Sequence, residues 1–204
     1  MKLHSLASLA FSAVLIFSAT TTHAEGVSMI EDFESYSSST NPGAWGISGT
    51  GVNVSLGLNL TGPINGNNDL KYTAGIGLVG TSYVIQNQSL SAPVSALATS
   101  FRMKIRPILG LNVTRTIQVT LTGQDDKKHT SQAQTLSLAT LLSTTDLDFP
   151  LNQFSQESGA APISTVKGVQ IKITNGLLSV AAEEHIDDLR MTWDNSSVPD
   201  WAVY

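Results

Sequence analysis

The chain has 204 residues, of which 13% are charged, a formal net charge of −5 and no cysteine. The absence of cysteine excludes thiol catalysis, disulfide scaffolds and cysteine-ligated zinc sites. The acidic balance argues against nucleic acid as a partner, because no basic surplus exists to displace counterions from phosphates.

Residues 1–24 have the pattern of a secretory signal peptide. A positive start at Met1–Lys2 precedes an apolar run from Leu6 to Phe17, and Ala24 is the small residue that signal peptidase needs. The alternative, a membrane anchor, requires about 20 apolar residues, and this run is shorter and interrupted by serines. The pattern predicts cleavage after Ala24 and a secreted or periplasmic protein without a membrane span.

Apolar and polar residues alternate with a period of two in much of the remaining chain, as expected for strands that bury one face. The alternation is clear at 52–60, 97–105, 117–122 and 169–174. Weaker candidates lie at 27–33, 70–73, 83–86, 133–138, 147–151 and 186–193. About ten strands separated by turn residues predict one all-β domain over 25–194, a two-sheet antiparallel jelly-roll β-sandwich, followed by a tail at 195–204.

Catalytic motifs are absent from the sequence. His129 and His185 are the only histidines after residue 24, and neither belongs to an HExxH or another spaced metal set. A GxSxG elbow, a P-loop and a dinucleotide fingerprint are also missing. Because a histidine needs a positioned partner to act as a base, both are predicted to be solvated surface residues.

Acidic residues concentrate near the two ends of the predicted domain. The first group is Glu31, Asp32 and Glu34, and the second is Glu183, Glu184, Asp187 and Asp188. Terminal strands often pair in such sandwiches, which would bring the groups together. Two interpretations stay open on composition: oxygen ligands for Ca²⁺, or edge-strand charges that discourage aggregation.

Four segments, in order, resemble the galactose-binding-like jelly roll of many bacterial carbohydrate-binding modules. They are Asp32-Phe33-Glu34 followed by Trp45, Phe101-Arg102-Met103-Lys104, Asp148-Phe149-Pro150-Leu151-Asn152-Gln153-Phe154, and Ile186-Asp187-Asp188-Leu189. The resemblance implies a jelly-roll fold and a structural Ca²⁺ that joins the opening glutamate to the closing strand. Carried over to this chain, those ligands are Glu34 with Asp187 or Asp188.

A glycan site is predicted less sharply than the fold. Such modules stack aromatic rings on sugars. The candidates are Trp45, Tyr72, Tyr83, Trp193 and Trp201, of which Tyr72 and Tyr83 are favoured, with core packing as the alternative. A polar row on one concave face is a second candidate, suited to an anionic polysaccharide, with a merely solvated sheet face as its alternative. That row consists of Arg102, Lys104, Arg106, Gln118 and Lys172.

These patterns together predict a secreted, non-catalytic, carbohydrate-binding protein whose partner is a polysaccharide or other glycan. Two alternatives remain: a structural or adhesive protein of an extracellular matrix or surface, and a polysaccharide-degrading hydrolase or lyase. A deep groove with two facing carboxylates, as in glycoside hydrolases, or a Lys/Arg/Tyr/His cluster would favour an enzyme, and the acids here lie near the two ends of the domain.

Overall fold

The computed structural model describes residues 25–36, 42–50, 54–75, 81–109, 114–137, 143–176 and 182–194. The predicted signal peptide, 1–24, and the predicted tail, 195–204, lie outside these residues and stay predictions. Within the described ranges, no helix is long and apolar enough to cross a membrane.

The described chain is built from strands and one short 3₁₀ turn, Leu151–Gln153. In chain order the strands are β1 (Glu25–Glu31), β2 (Gly46–Gly49), β3 (Ser55–Asn59), β4 (Asp69–Ala74), β5 (Ser82–Asn87), β6 (Ala92–Pro93), β7 (Ser100–Leu109), β8 (Thr114–Thr122), β9 (Lys128–Thr130), β10 (Gln134–Ser137), β11 (Thr145–Pro150), β12 (Ser155–Gln156), β13 (Thr165–Val166), β14 (Gly168–Asn175) and β15 (Ala182–Asp194).

The strands form two main sheets. Sheet A has the order β11-β7-β15-β4-β3, with β1 paired to the last part of β15. Sheet B has the order β12-β9-β8-β14-β5-β2, with β10 paired to the first part of β8. A third, two-stranded sheet joins β6 to β13. The antiparallel pairing of β1 with β15 confirms that the ends of the domain meet.

The core lies between the sheets and follows the predicted alternation. Its fully buried side chains include Phe101, Met103 and Ile105 from β7, Ile117, Val119 and Leu121 from β8, and Val169, Ile171 and Ile173 from β14. Each alternates with a more exposed polar residue, which confirms the predicted sandwich of half-buried strands.

Two positions at the ends of the predicted strands depart from the expected burial. Leu60 and Leu97 share the parity of buried neighbours but are 47% and 49% exposed. The reason is that β3 ends at Asn59 and β7 begins only at Ser100, so neither leucine lies in a strand. Alternation predicts which face of a sheet a residue occupies only for residues that lie within the strand.

Candidate functional site

Three of the five aromatic residues predicted to stack on sugars are buried instead, whereas Trp193 is only partly buried on β15 and Trp201 lies outside the described residues. Trp45 is 5% exposed, and Tyr72 and Tyr83 are 0% exposed. Trp45 packs on Phe33 with ring centroids 5.5 Å apart, and the rings of Tyr72 and Tyr83 lie 6.3 Å apart in the core. The predicted aromatic platform is therefore wrong: these rings point between the sheets, where a sugar has no access.

The predicted polar row is divided between two surfaces. Arg102, Lys104 and Arg106 alternate with buried residues of β7, so they lie on the outer face of sheet A. Gln118 on β8 and Lys172 on β14 lie on the outer face of sheet B. The expectation of one continuous row is therefore wrong, because β7 and β8 belong to different sheets.

Three cations on the outer face of sheet A are already paired with carboxylates. Arg102 pairs with Glu25 and Asp148. Lys104 Nζ lies 2.9 Å from an oxygen of Asp188, and Arg106 Nη2 lies 3.5 Å from an oxygen of Asp69. Because each charge has a partner, Arg102 and Lys104 offer little free positive charge to an anionic polysaccharide.

A loop over residues 60–68 covers part of this face and is held by carboxylates from both ends of the domain. Glu34 accepts the backbone N–H groups of Asn67 at 2.8 Å and Asn68 at 3.1 Å. Asp187 Oδ2 accepts the backbone N–H of Asn65 at 3.0 Å. Asp69 Oδ2 accepts the N–H of Ile64 at 2.8 Å. The two predicted acidic groups thus meet at one loop.

Both aspartates of the closing strand lie under this loop, at a β-bulge between Asp187 and Arg190. Asp188 adopts a φ of 58° there, and its carboxylate pairs with Lys104 and Arg190 and accepts the Asn65 side-chain amide. The bulge breaks the strand parity. Both aspartates are consequently buried, although parity alone predicts opposite faces.

The described residues do not fit the calcium site that the resemblance implies. Burial opposes ionisation of Asp188, but the bonds from Arg190 and Lys104 outweigh it and lower its pKa. Two cations beside that carboxylate would repel Ca²⁺. The carboxylate of Glu34 is occupied by N–H donors, and the amides of Asn68 and Asn67 lower its pKa. Among the residues described, no group of three or more acidic or histidine side chains is arranged for a metal.

Asp187 is the one member of this cluster whose charge is poorly compensated. Burial raises the pKa of its carboxyl to about 7, and the charges of Asp188 and Asp69 add to the effect of burial, while the amides of Asp188 and Asn65 partly oppose it. A carboxyl whose pKa is raised by folding stabilises the native state fully below its unfolded pKa, near 3.8. That contribution is lost as the pH rises through about 7.

Replacing Asp187 with asparagine should remove this pH dependence. Relative to Asp187→Asn, the wild type should lose about 2–4 kcal/mol of unfolding free energy between pH 4 and 8, because each unit of pKa shift corresponds to about 1.4 kcal/mol. Urea denaturation of both proteins across that range measures the difference. Parallel stability curves would show that Asp187 is not desolvated.

Neither histidine is a solvated surface residue, which corrects the prediction. His185 is 4% exposed, with Nδ1 3.3 Å from Asp69 Oδ1 and Nε2 3.1 Å from Glu183 Oε1. His129 is 2% exposed on β9. Burial lowers the pKa of His129, and the charge of Asp125 opposes that only in part. His129 takes the inward position of β9. His185 has outward parity and is buried beside Arg106 and Asp69, so alternation alone does not predict its burial.

The outer face of sheet B has a different chemistry from that of sheet A. Across β8, β14 and β5, three rows of facing residues are Thr120-Gln170-Gln86, Gln118-Lys172-Val84 and Thr116-Thr174-Ser82. Lys172 is the one charged side chain among these nine. The first row continues to Thr130 on β9 and Gly46 on β2, which at about 4.8 Å per strand makes a strip about 19 Å long.

Some polar side chains in these rows are bonded within the chain, and two glutamine amides are available to a ligand. Thr120 shares its hydroxyl with Thr130 at 3.1 Å, and Gln118 donates to the Ser131 carbonyl at 3.0 Å. The side-chain amides of Gln86 and Gln170 have no partner in the part of the chain that the structure describes. An amide offers donors and an acceptor, so this pair matches the dual character of sugar hydroxyls.

A polar network joins the two sheets inside the core. Arg115 on β8 forms an ion pair with Glu184 on β15, and both side chains are 0% exposed. Tyr72 donates to Glu184 at 2.6 Å and accepts a bond from Arg115 at 2.7 Å. Burial raises the pKa of Glu184, and the charge of Arg115 opposes that rise. The network holds β8 opposite β15. If the two strands shifted, Arg115 and Glu184 would separate and each would be a buried charge without a partner.

Comparisons with known proteins show the fold. No protein-family model matches the chain, and no curated protein matches it. It is similar to a family 11 carbohydrate-binding module from Clostridium thermocellum, solved with a beta-1,3-1,4-mixed-linked tetrasaccharide. That similarity has a TM-score of 0.55 and 13% identity, and it covers 84% of this chain and 98% of the module.

Two further modules show the same architecture. One is a module specific for non-crystalline cellulose, with a TM-score of 0.54, 14% identity, and coverage of 72% of this chain and 87% of the module. The other is the mannan-recognising module TmCBM27, with a TM-score of 0.52, 13% identity, and coverage of 83% and 98%. The chain therefore has the jelly-roll β-sandwich fold of these carbohydrate-binding modules.

Proposed function

We propose that this protein is a secreted, non-catalytic binder of a neutral polysaccharide, and that the outer face of sheet B contacts the glycan. The observation that carries the proposal is the contrast between the two outer faces. On sheet A, Arg102, Lys104 and Arg106 are paired with carboxylates, whereas the facing residues of β8, β14 and β5 on sheet B present threonine hydroxyls and glutamine amides around one lysine, Lys172. Uncharged hydroxyls and amides suit a hydroxyl-rich, uncharged polymer.

The fold supports the same proposal without deciding it, because one fold serves many functions. One similar module was solved with a mixed-linked tetrasaccharide, one is specific for non-crystalline cellulose, and one recognises mannan. All three ligands are uncharged glycans.

A glycan array tests the proposal on the protein that begins at Glu25. Neutral glucans, mannans and xylans should be retained, and anionic polymers such as pectin and alginate should not. Retention of anionic polymers alone would overturn the assignment to sheet B. The absence of any retained glycan would overturn carbohydrate binding and favour the structural or adhesive alternative.

Export of the protein is a separate prediction. Mass spectrometry of the exported species should give an N-terminus at Glu25, because Ala24 ends the signal pattern. Export also suits a polysaccharide partner. Recovery of the exported protein with Met1 intact would contradict the predicted cleavage.

Calcium at Glu34, Asp187 and Asp188 stays a prediction of the family resemblance, and chelation tests it. We expect the chelator to leave the melting temperature unchanged, because backbone amides already bond to Glu34 and two cations already pair with Asp188. A bound ion would stabilise the native state by mass action. A fall of several degrees on chelation that Glu34→Gln abolishes would therefore establish the ion.

A further inference from the structure

A cavity of about 280 Å³ lies at the end of the sandwich where β7 begins and β11 ends. Its apolar lining comprises Val94, Ala98, Leu151, Phe154 and Ile163. Among the described residues that line it, none has a carboxylate, ammonium or guanidinium group. The lining favours an apolar occupant, and the surface around the cavity indicates which one.

The surface beside the cavity is continuous with the end of β15. Thr99 N donates to Thr192 O at 2.9 Å, which holds that end beside the start of β7. A depression next to Asp194, the last described residue, includes Thr99 in its lining. A second depression extends from Thr99 to Ala98 and Leu151, and both of these residues also line the cavity. A path along the surface therefore leads from Asp194 into the cavity.

The walls of the cavity are held by backbone hydrogen bonds. Val94 N donates to Ser164 O at 2.9 Å, and Leu151 N donates to Thr99 O at 2.8 Å. The short sheet formed by β6 and β13 adds a further constraint beside Val94. Because the space is preformed, its occupant has only its own conformational freedom to lose.

The segment that follows Asp194 in the sequence has the composition that this cavity requires. Residues 195–204 contain one charged residue, Asp200, and five of the ten are apolar, namely Val198, Trp201, Ala202, Val203 and Tyr204. Trp201 is the seventh residue after Asp194, so the backbone lets it reach up to about 23 Å from there. An apolar cavity of roughly 150 Å³ accepts benzene, and the larger space here accommodates an indole.

We propose that residues 195–204 dock on this end of the sandwich of their own chain, with the Trp201 indole in the cavity. The ring would pack against Leu151 and Phe154, and the residues before it would cover the surface between Asp194 and Ala98. Trp201 is then an internal anchor and not a platform for sugar stacking. The docking is independent of the proposed glycan face, because none of the nine facing residues of sheet B lines the cavity.

NMR contacts of the Trp201 indole test the docking in the protein that begins at Glu25. Nuclear Overhauser effects should join the indole protons to the methyl groups of Leu151 and Ile163. Trp201→Ala should shift the amide signals of residues 94–98 and 151–156 and lower the melting temperature by several degrees. Tyr204→Ala is the matched control, since it removes a ring from the same segment and should leave those signals nearly unmoved.

A variant of the wall gives a second, independent test. Ala98→Leu fills part of the cavity, so it should abolish the contacts between Trp201 and Leu151 while the rest of the spectrum keeps its dispersion. Three results would overturn the proposal: no contact between Trp201 and the lining, lining signals that are the same in Trp201→Ala as in the wild type, or contacts that disappear on dilution. The last result would assign the indole in the cavity to a second copy of the chain.

Discussion

Replacing Arg115 with methionine should lower the free energy of unfolding by about 3–5 kcal/mol, the usual cost of leaving one charge of a buried pair alone. Arg115 and Glu184 are both 0% exposed, and they bridge sheet B to sheet A. The substitution leaves the Glu184 carboxylate with the Tyr72 hydroxyl as its remaining donor. Urea denaturation measures the loss.

A double variant is the matched control for this prediction. Arg115→Met combined with Glu184→Leu removes both charges, and such apolar replacements of buried pairs are often neutral or stabilising. The double variant should therefore recover most of the stability that the single variant loses. A single variant that loses less than about 1 kcal/mol would mean that the pair is solvated and that the network does not align the sheets.

Removing the two available amides of sheet B should weaken glycan binding at least tenfold. Gln86 and Gln170 face each other on β5 and β14, and two neutral hydrogen bonds contribute about 2 kcal/mol together. The double variant Gln86→Ala with Gln170→Ala should therefore bind the retained glycan weakly while keeping its melting temperature. Calorimetric titration with that glycan measures the change.

Lys71→Ala is the control for the opposite face. Lys71 lies on β4, on the outer face of sheet A, since Leu70 and Tyr72 on either side of it are buried, and its removal should leave the affinity unchanged. If the Lys71 variant loses affinity and the glutamine variant does not, then sheet A and not sheet B contacts the glycan.

The strands were predictable from the sequence because burial on one face forces alternation. Phe101, Met103 and Ile105 are buried as their period indicates. The partner of each strand was not predictable, because β7 and β8 are adjacent in the chain but lie in different sheets. For that reason the polar row predicted from β7, β8 and β14 is divided between two outer faces.

The alternation of each strand indicated that its interior polar residues face the core. Arg115 has the parity of Ile117, and Glu184 has that of Ile186, so both were inward positions by the same rule that identified the core. Alternation also places Tyr72 with Leu70, inside the sheet. What the sequence does not contain is that Arg115, Glu184 and Tyr72 meet, since that depends on how two sheets pack.

The closing strand, β15, shows a second limit of structure prediction from the sequence. A β-bulge at Asp187 and Asp188 interrupts the period of two, and no residue pattern around it announces the extra residue. Glu34 and the closing aspartates all contact the 60–68 loop, whereas the resemblance implies that they share a Ca²⁺. The resemblance did not indicate that Lys104 and Arg190 form ion pairs with Asp188.

Mapping the bound glycan by NMR tests the central proposal most directly. The β-1,3-1,4-linked tetrasaccharide and a mannan oligosaccharide are suitable uncharged probes, since similar folds are described with such ligands. We predict that the side-chain amide signals of Gln86, Gln118 and Gln170 shift on titration, together with backbone signals along β14. Shifts confined to the outer face of sheet A, around Arg102 and Lys104, would contradict the assignment of glycan binding to sheet B.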